Sequence, residues 1–355
     1  MPDERDGASP VRPGEELPLE ILQEYLQKSL PGAAGSLVVE QFAHGHSNLT
    51  YLLRMGDTEL VLRRAPFANT VKSAHDMGRE YRVLSKLWEY YPPAPKPVLF
   101  CEDPAIPGVP FYLMERRRGL ILRQRMPAGL HIDPETARSL GNALIDNLAE
   151  LHTLDYKAIG LADLGKPGGY VNRQVTGWAE RWGKARIDDL AAMDAVSRWL
   201  MERIPATSDA ALIHNDYKYD NLVLDPADLT RIVGVLDWEM ATVGCPLMDL
   251  GTTLGYWVEA GDPPALKRAA MGPTDLPGSL TRQELADRYS NQTGRDVSGI
   301  LFYYTFGLFK IAVIVQQIYA RYVRGHTRDP RFANLNHLVT ILAEQAERSI
   351  RTKRI

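Results

Sequence analysis

The sequence predicts an α+β protein of two unequal parts: a small N-terminal lobe of antiparallel strands with one main helix, and a larger, mostly helical C-terminal lobe. Two kinds of periodicity support this. Strand-like alternation marks residues 37–64 and returns at 97–100 and 111–115. From residue 134 onward, apolar side chains instead recur at helical spacing. A chain of 355 residues is long enough to bury an extensive core in such an arrangement.

The N-terminal lobe is expected to contain three consecutive strands, at 37–42, 49–54 and 59–64, followed by a helix at 79–89. The first two strands flank a small polar loop of the kind whose backbone amides can bind phosphate. This loop has a single Gly and lacks both Walker-A spacing and a Gly-x-Gly-x-x-Gly pattern. Neither a P-loop nor a Rossmann site is therefore predicted.

The helix at 79–89 carries a charged residue where the core should be. Its apolar side chains gather on one face, and Glu80 falls in the middle of that face. A buried carboxylate is costly unless it is paired or neutralised, so Glu80 needs a cation. Arg63 and Arg64 end the preceding strand and point to opposite faces, so only one of them can serve. The sequence leaves that choice open, along with the alternative that Glu80 is partly exposed at the edge of the stripe.

The segment 214–221 holds the residues most typical of a catalytic loop. His214 is followed two residues later by Asp216 and then by Asn221, the spacing found in the catalytic loop of kinases. A hairpin predicted at 222–236 would then bring Asp237 near Asn221. Phosphoryl transfer needs a carboxylate beside the attacking hydroxyl and oxygen ligands for Mg²⁺.

This pattern predicts Asp216 as the base and Asn221 and Asp237 as magnesium ligands. Taken one at a time, the same side chains could be turn, cap and strand-end residues. His214 is expected to be structural, with its imidazole hydrogen-bonded to the loop backbone.

These residues carry a resemblance. His214-x-Asp216-x4-Asn221, followed by the sequences at 235–239 and 246–250, is similar to the aminoglycoside phosphotransferase and choline kinase superfamily, which has a bilobal protein-kinase-like fold. The resemblance covers roughly residues 36–325, and within the superfamily it is greatest to the kinase-like domain associated with acyl-CoA dehydrogenases. The chain departs from the pattern at Asn215, where Gly is usual. Asn tolerates left-handed backbone better than most residues do.

The resemblance implies ATP and Mg²⁺ as cofactors and a division of the chain into three parts. We expect a disordered tail at 1–18, a nucleotide-binding lobe at 19–115, and a catalytic and substrate-binding lobe at 116–355. Within the nucleotide-binding lobe it assigns Arg63 to pair with Glu80 and touch the phosphates. Further residues are assigned to the phosphates (Gly45, Ser47 and Asn48) and, through a hinge backbone, to adenine (Met114, Glu115 and Arg116). From composition alone, the hinge could equally be an ordinary connector.

Composition limits the partners. Lys and Arg number 41 against 44 Asp and Glu, which gives no nucleic-acid footprint. The only two cysteines, Cys101 and Cys245, lack zinc spacing and suit a reducing cytoplasm, as does the lack of an apolar N-terminal signal run. Residues 300–323 are strongly apolar, but Lys310 interrupts them, so a buried helix is favoured over a membrane span. The expected partner is a small-molecule alcohol, with a homodimer left open.

The acceptor is expected to be anionic. Segment 251–355 has 14 Lys and Arg against 9 Asp and Glu, which disfavours polycationic aminoglycosides, although these charges could also be a solvated surface. The resemblance implies a hydroxyacyl-CoA or another phosphate-bearing metabolite. The alternatives are an aminoglycoside or choline-type kinase and a nucleotide-binding pseudokinase. A protein kinase is disfavoured because Asp237 is not followed by Phe-Gly or by a long activation segment.

Overall fold

The computed structural model describes residues 7–42, 48–66, 76–103, 105–106, 108–124, 126–127, 129–206 and 209–355. It divides into two compact units. The first unit comprises Met1–Leu120 with Leu222–Ala241, and the second comprises Ile121–Asn221 with Thr242–Ile355.

The strands are β1 (Ala8–Ser9), β2 (Leu37–Phe42), β3 (Leu49–Met55), β4 (Thr58–Arg64), β5 (Pro97–Cys101), β6 (Phe111–Glu115), β7 (Ala211–Ile213), β8 (Leu222–Asp225), β9 (Asp228–Val235) and β10 (Thr242–Gly244). The helices are α1 (Leu19–Ser29), α2 (Met77–Leu87), α3 (Pro134–Thr153), α4 (Tyr170–Ala185), α5 (Ala191–Met201), α6 (Pro246–Tyr256), α7 (Pro264–Arg268), α8 (Arg282–Thr293), α9 (Ile300–Val323) and α10 (Leu335–Thr352).

An antiparallel sheet forms the framework of the first unit. Its described strands run in the order β1-β2-β3-β4-β6-β5. Side chains of β3, β4 and β6 fill the core on one side, among them the fully buried Tyr51, Leu62 and Leu113. Helix α2 begins at the N-cap Asp76, whose carboxylate accepts a hydrogen bond from the Arg79 amide. The predicted α+β class, with an antiparallel N-terminal sheet, is confirmed.

The predicted disordered tail is wrong for residues 7–18. Strand β1 pairs antiparallel with the end of β2, Leu17 is buried, and the Tyr51 hydroxyl donates to the Glu15 carbonyl over 2.7 Å. A two-residue strand inside a Pro- and Gly-rich stretch carries no periodic signal, since it is held by backbone pairing and a few long-range contacts. Residues 1–6 lie outside the described part of the chain.

The hairpin β8–β9, predicted within the C-terminal lobe, belongs to the first unit. Leu120 and Leu224 exchange two backbone hydrogen bonds of 2.8 Å each, and the Val235 amide donates to the Pro93 carbonyl over 2.8 Å. Opposite Val235, Leu222 begins the hairpin, so its two ends meet as expected. A short 3₁₀ turn, Trp238–Met240, follows the hairpin, and the Trp238 ring is buried against Tyr91.

Helices dominate the second unit. The helix α9 is long and apolar enough to cross a membrane by length and composition, but 83% of its most apolar window is buried inside the structure. This agrees with the expected buried helix. It crosses α6 at Gly307 and Gly251, where a Cβ atom added to Gly307 would come within 2.2 Å of the Gly251 carbonyl oxygen. A side chain at either glycine would force the two helices apart.

Candidate active site

Asp216 lies in the second unit, in the loop between β7 and a short 3₁₀ turn at Tyr219–Asn221. Its Oδ1 accepts a hydrogen bond of 2.7 Å from the Tyr256 hydroxyl. Its Oδ2 accepts one of 2.7 Å from Lys218 Nζ and one of 3.0 Å from Asn221 Nδ2. The carboxylate is therefore fixed in direction while its side chain remains 18% exposed. A base that must meet an incoming hydroxyl needs this combination of fixed orientation and access.

The residue before Asp216 adopts the left-handed backbone expected of it. Asn215 has φ of 69°, a conformation that Gly or Asn tolerates best. The Asn215 amide donates to Asp249 Oδ1 over 2.8 Å, and its carbonyl accepts from Lys310 Nζ over 2.7 Å. The Asp216 amide donates to His214 Nδ1 over 3.3 Å. The predicted hydrogen bond between the His214 imidazole and the loop backbone is thus confirmed.

A buried carboxylate in α6, Asp249, accepts hydrogen bonds from the backbone of this loop. Besides Asn215, it accepts from the His214 amide over 2.7 Å and contacts His152 Nε2 at 3.1 Å. Burial acts to raise the pKa of Asp249, but the hydrogen bonds from His152 and from the His214 amide outweigh it, so the pKa is lowered. Burial lowers the pKa of His152 in turn. A neutral His152 can donate from Nε2 to Asp249 while its Nδ1 accepts from the Tyr289 hydroxyl.

Asn221 has the geometry of an oxygen ligand for a cation. Its Nδ2 donates to both the backbone carbonyl and the carboxylate of Asp216, over 2.8 Å and 3.0 Å. With the amide nitrogen turned toward Asp216, the side-chain oxygen faces away from it. Mg²⁺ prefers such oxygen donors and needs only one or two of them from protein. The described residues include no cluster of three or more His, Cys, Asp or Glu that could hold a metal.

A small pocket lies within the second unit, close to the loop that carries Asp216. Tyr256 and Lys218, which both bond the Asp216 carboxylate, form part of its wall. The remaining wall is mainly aromatic and aliphatic, with Asp220 as a further charged member. Burial raises the pKa of Asp220, against the opposing charges of Lys218 and Arg123. The other lining residues are Leu144, Tyr219, Thr253, Trp257, Met271, Gly272 and Thr274.

In the first unit, Glu80 pairs with Arg63 and not with Arg64. Arg63 Nε lies 3.5 Å from Glu80 Oε2, and Arg63 Nη2 lies 2.8 Å from Asp237 Oδ1. Arg64 is fully buried on the other face of β4, where its Nε donates to the Ala65 carbonyl. Arg63 is therefore the partner of Glu80 that the sequence alone could not identify.

Glu80 is not a partly exposed helix residue, because it is 1% exposed. Its Oε1 accepts from the Trp238 amide over 3.1 Å. Burial raises the pKa of Glu80 even though Arg63 opposes the shift. For Arg63, burial acts to lower the pKa, but the charge of Glu80 outweighs it and the pKa is raised. One guanidinium therefore joins the helix α2 to the segment after β9.

Asp237 adopts a left-handed backbone with φ of 68°, and its side chain remains 32% exposed. Glu239, two residues on, accepts from Asn48 Nδ2 over 2.6 Å. Asn48, assigned by resemblance to the nucleotide phosphates, is thus tied to the segment that carries Asp237. The other two residues of that assignment, Gly45 and Ser47, lie outside the described residues.

At the predicted hinge, one backbone donor is already used. Met114 lies in β6 between Val61 of β4 and Pro97 of β5. The Glu115 amide donates to the Lys96 carbonyl over 2.8 Å, so this donor is already used within the first unit and is not available to a ligand. The Arg116 side chain forms an ion pair with Glu59. The sequence could not show this, because the extra pairing depends on where β5 begins.

Sequence reasoning missed the contacts of Tyr256 and Lys310 with the catalytic loop. In the sequence, Lys310 stands out only as an interruption of an apolar helix. A single cation in an apolar helix nevertheless indicates that the cation has a buried partner, just as the single carboxylate Glu80 does in α2. The excess of Lys and Arg in segment 251–355 is also less available to bind an anion than the number of these residues suggests. Arg282, Arg288 and Arg295 are engaged with Asp262, Asp146 and Asp209.

Comparison with known proteins places this geometry in a family. The family model described as "Phosphotransferase enzyme family" matches residues 38–282. Acyl-CoA dehydrogenase family member 11 of Gallus gallus is 33% identical over 352 residues, which are 96% of this chain and 44% of that protein. The chain thus spans less than half the length of this curated relative.

Solved structures of phosphotransferases share the fold of this chain. A Ralstonia eutropha structure described as that of a candidate aminoglycoside phosphotransferase superposes with a TM-score of 0.77 and 31% identity, covering 94% of this chain and 99% of that one. Choline kinase from Cryptosporidium parvum, at 12% identity and a TM-score of 0.62, shares the fold over 94% of this chain and 96% of its own. So does an aminoglycoside phosphotransferase solved with ADP and hygromycin B, at 15% identity and a TM-score of 0.59, over 93% and 98%. With a family model covering most of its length and a solved relative above 30% identity, this chain belongs to the phosphotransferase enzyme family.

Proposed function

We propose that the chain is an ATP-dependent phosphotransferase that phosphorylates a hydroxyl group of a small molecule, with Asp216 as the base. The observation that carries this proposal is the setting of Asp216. Its carboxylate is oriented by three hydrogen-bond donors and follows a left-handed residue, and two of those donors, Tyr256 and Lys218, line a small pocket. Family membership supports the coarser statement, that the chain is built as a small-molecule kinase.

In this reaction the acceptor oxygen forms a bond to the γ-phosphorus of ATP, and the bond from that phosphorus to the bridging oxygen of ADP breaks. The hydroxyl proton passes to a carboxylate oxygen of Asp216. Tyr256 and Lys218 keep that carboxylate aimed, which supplies the positioning that phosphoryl transfer requires of the protein.

Asn221 and Asp237 are the proposed magnesium ligands, through an amide oxygen and a carboxylate. When bound, Mg²⁺ neutralises charge on the nucleotide phosphates. Arg63, which is anchored to both Glu80 and Asp237, is proposed to contact the same phosphates. ATP as the donor is supported by the fold shared with the phosphotransferase that was solved with ADP.

For the acceptor we propose an anionic alcohol with an apolar body, such as a hydroxyacyl-CoA. Lys218, which bonds Asp216, supplies a cation there, and aromatic and aliphatic side chains line the small pocket next to it. The name of the Gallus gallus relative, an acyl-CoA dehydrogenase family member, points to the same class of metabolite. A polycationic aminoglycoside would need an acidic surface, whereas the pocket wall has one cation, Lys218, and one carboxylate, Asp220.

The test is release of ADP by purified chain with Mg-ATP, measured in a coupled assay over 3-hydroxyacyl-CoAs, choline, glucose and kanamycin. We expect release that depends on a hydroxyacyl-CoA and that Asp216→Asn abolishes. ATP binding without turnover on any acceptor would instead indicate a nucleotide-binding pseudokinase. Faster turnover of kanamycin than of every CoA-bearing alcohol would reject the acceptor class and keep the kinase assignment.

A further inference from the structure

Lys310 is a buried cation in the middle of the most apolar helix of the chain. It lies on α9 and is 3% exposed. Its Nζ donates to the carbonyl of Asn215, the residue before Asp216, over 2.7 Å. Burying an ammonium group is unfavourable, so a lysine at this position needs a reason beyond packing.

The contact of Lys310 completes the restraint of the peptide that leads into Asp216. The carbonyl of that peptide accepts from Lys310, and its amide, which belongs to Asp216, donates to His214 Nδ1. On the other side of Asn215, the amide donates to Asp249. Both peptide planes flanking the left-handed residue are therefore fixed, and the direction in which Asp216 leaves the backbone is set by them.

The charge of Lys310 is balanced by carboxylates of the loop and of α6. The carboxylates of Asp216 and Asp249 attract it, and Lys218 repels it. Burial nevertheless lowers the pKa of Lys310 to about 8, so the ammonium form is retained at neutral pH at some cost.

The crossing of α6 and α9 puts Lys310 where it can reach the loop. Gly307 of α9 touches Gly251 of α6 backbone to backbone. Lys310 follows Gly307 by three residues, about one helical turn, and Asp249 precedes Gly251 by two. The close approach therefore brings the two groups that hold Asn215 to the same place from two different helices.

We infer that Lys310 is a positioning residue for phosphoryl transfer, which fixes the Asn215–Asp216 peptide and thereby the direction of the Asp216 carboxylate. The inference rests on the proposed function in so far as Asp216 is the base. A residue that served only to pack the helix would be replaceable by an apolar side chain of the same length. Lys310 would not be, because its loss frees the loop carbonyl.

The test compares Lys310→Met, which keeps the length and removes the donor, with Lys310→Gln, which keeps an N–H donor without the charge. Gln316→Met is the matched control. Gln316 is buried on the same helix and donates to the Ala185 carbonyl over 3.0 Å, away from the catalytic loop. Hydrogen exchange of the backbone amides in residues 214–221 is measured for each full-length variant, together with urea unfolding. The readout needs neither nucleotide nor acceptor.

We expect amide exchange in 214–221 to become about tenfold faster or more in Lys310→Met, with an unfolding midpoint at or above that of wild type. Lys310→Gln should restore slow exchange in part, and Gln316→Met should leave it unchanged. Unchanged exchange in Lys310→Met would overturn the inference. So would loss of protection that is equal across all of α9 and the loop, since that would mean general loosening of the core.

Turnover separates this inference from the proposed function. With Mg-ATP and 3-hydroxybutyryl-CoA as the probe, Lys310→Met should lower kcat by about tenfold or more with little change in KM for ATP. Wild-type turnover that Lys310→Met leaves intact would refute the positioning role alone. Local loosening of the loop in Lys310→Met, with no turnover by wild type on any acceptor, would refute the proposed function alone.

Discussion

Breaking the contact between Arg63 and Glu80 should destabilise the first unit, and the effect should depend on this pair and not on the neighbouring Arg64. At 3.5 Å and an effective dielectric constant of about 20, the attraction is about 5 kcal/mol before desolvation is subtracted. Both side chains are buried, and removing one member of a buried pair typically costs about 3 to 5 kcal/mol. An exposed pair would contribute only about 0 to 1 kcal/mol.

The two single substitutions should differ in size. Glu80→Gln keeps an oxygen to accept from the Trp238 amide, and Arg63 keeps Asp237 at 2.8 Å, so this variant should lie at the low end of the range. Arg63→Met leaves the carboxylates of Glu80 and Asp237 without their shared cation and should lie at the high end. Because part of each loss is compensated, we expect a coupling energy of about 2 kcal/mol in the double-mutant cycle.

The assay is urea unfolding of Glu80→Gln, Arg63→Met and the double variant, with m-values checked for constancy. Arg64→Met is the matched control, since Arg64 is also a buried arginine and lies on the opposite face of the same strand. It should show coupling to Glu80 below about 0.5 kcal/mol. Coupling that small with Arg63 as well would refute the reasoning, because Glu80 would then be held by something other than this cation.

Four further outcomes are expected. Asp216→Asn should abolish transfer, a loss of about 10² to 10⁴ or more, while calorimetric Mg-ATP affinity stays within a few-fold. Asp237→Ala should weaken Mg-ATP binding in the same titration, and Asn221→Ala should weaken it less; wild-type affinity in both would place the metal elsewhere. Tyr256→Phe removes one hydroxyl and leaves the pocket wall, so kcat should fall about tenfold or more, as for loss of one hydrogen bond to a charged group. For Lys310 the folded pKa of about 8 lies below the unfolded value of 10.5, so the unfolded chain binds more protons between these pH values. The free energy of unfolding of wild type should therefore rise by about 3 kcal/mol relative to that of Lys310→Met as pH increases through this window. A difference in urea unfolding that stays constant with pH would contradict this.

Local signals predict the elements that carry the site. Strand β2 and helices α3 and α9 have the expected bounds, because each has one clear periodicity. Glu80 is predicted to need a cation because it stands alone in an apolar stripe, and the structure supplies Arg63. The left-handed backbone at Asn215 follows from residue type alone.

Other parts depend on distant residues. Nothing in the sequence near Tyr256 indicates that its hydroxyl meets a carboxylate 40 positions earlier, and the same holds for Lys310 and Asn215. Net charge misleads for a related reason. A count along a segment cannot show which cations already face a carboxylate, as Arg282 does with Asp262. Pairings of this kind are decided by helix packing and not by local propensity.

The contact between Gly251 and Gly307 limits which parts of this chain could vary. A Cβ on Gly251 would come within 2.2 Å of the Tyr303 carbonyl oxygen, so the spacing of the two helices is set by main-chain atoms that have no rotamers to change. The pocket wall, by contrast, is made of side chains such as Met271 and Leu144 that can be exchanged without moving a helix. If the proposed function holds, acceptor preference can change through substitutions in the pocket wall, while the backbone contact that positions the proposed base Asp216 stays the same.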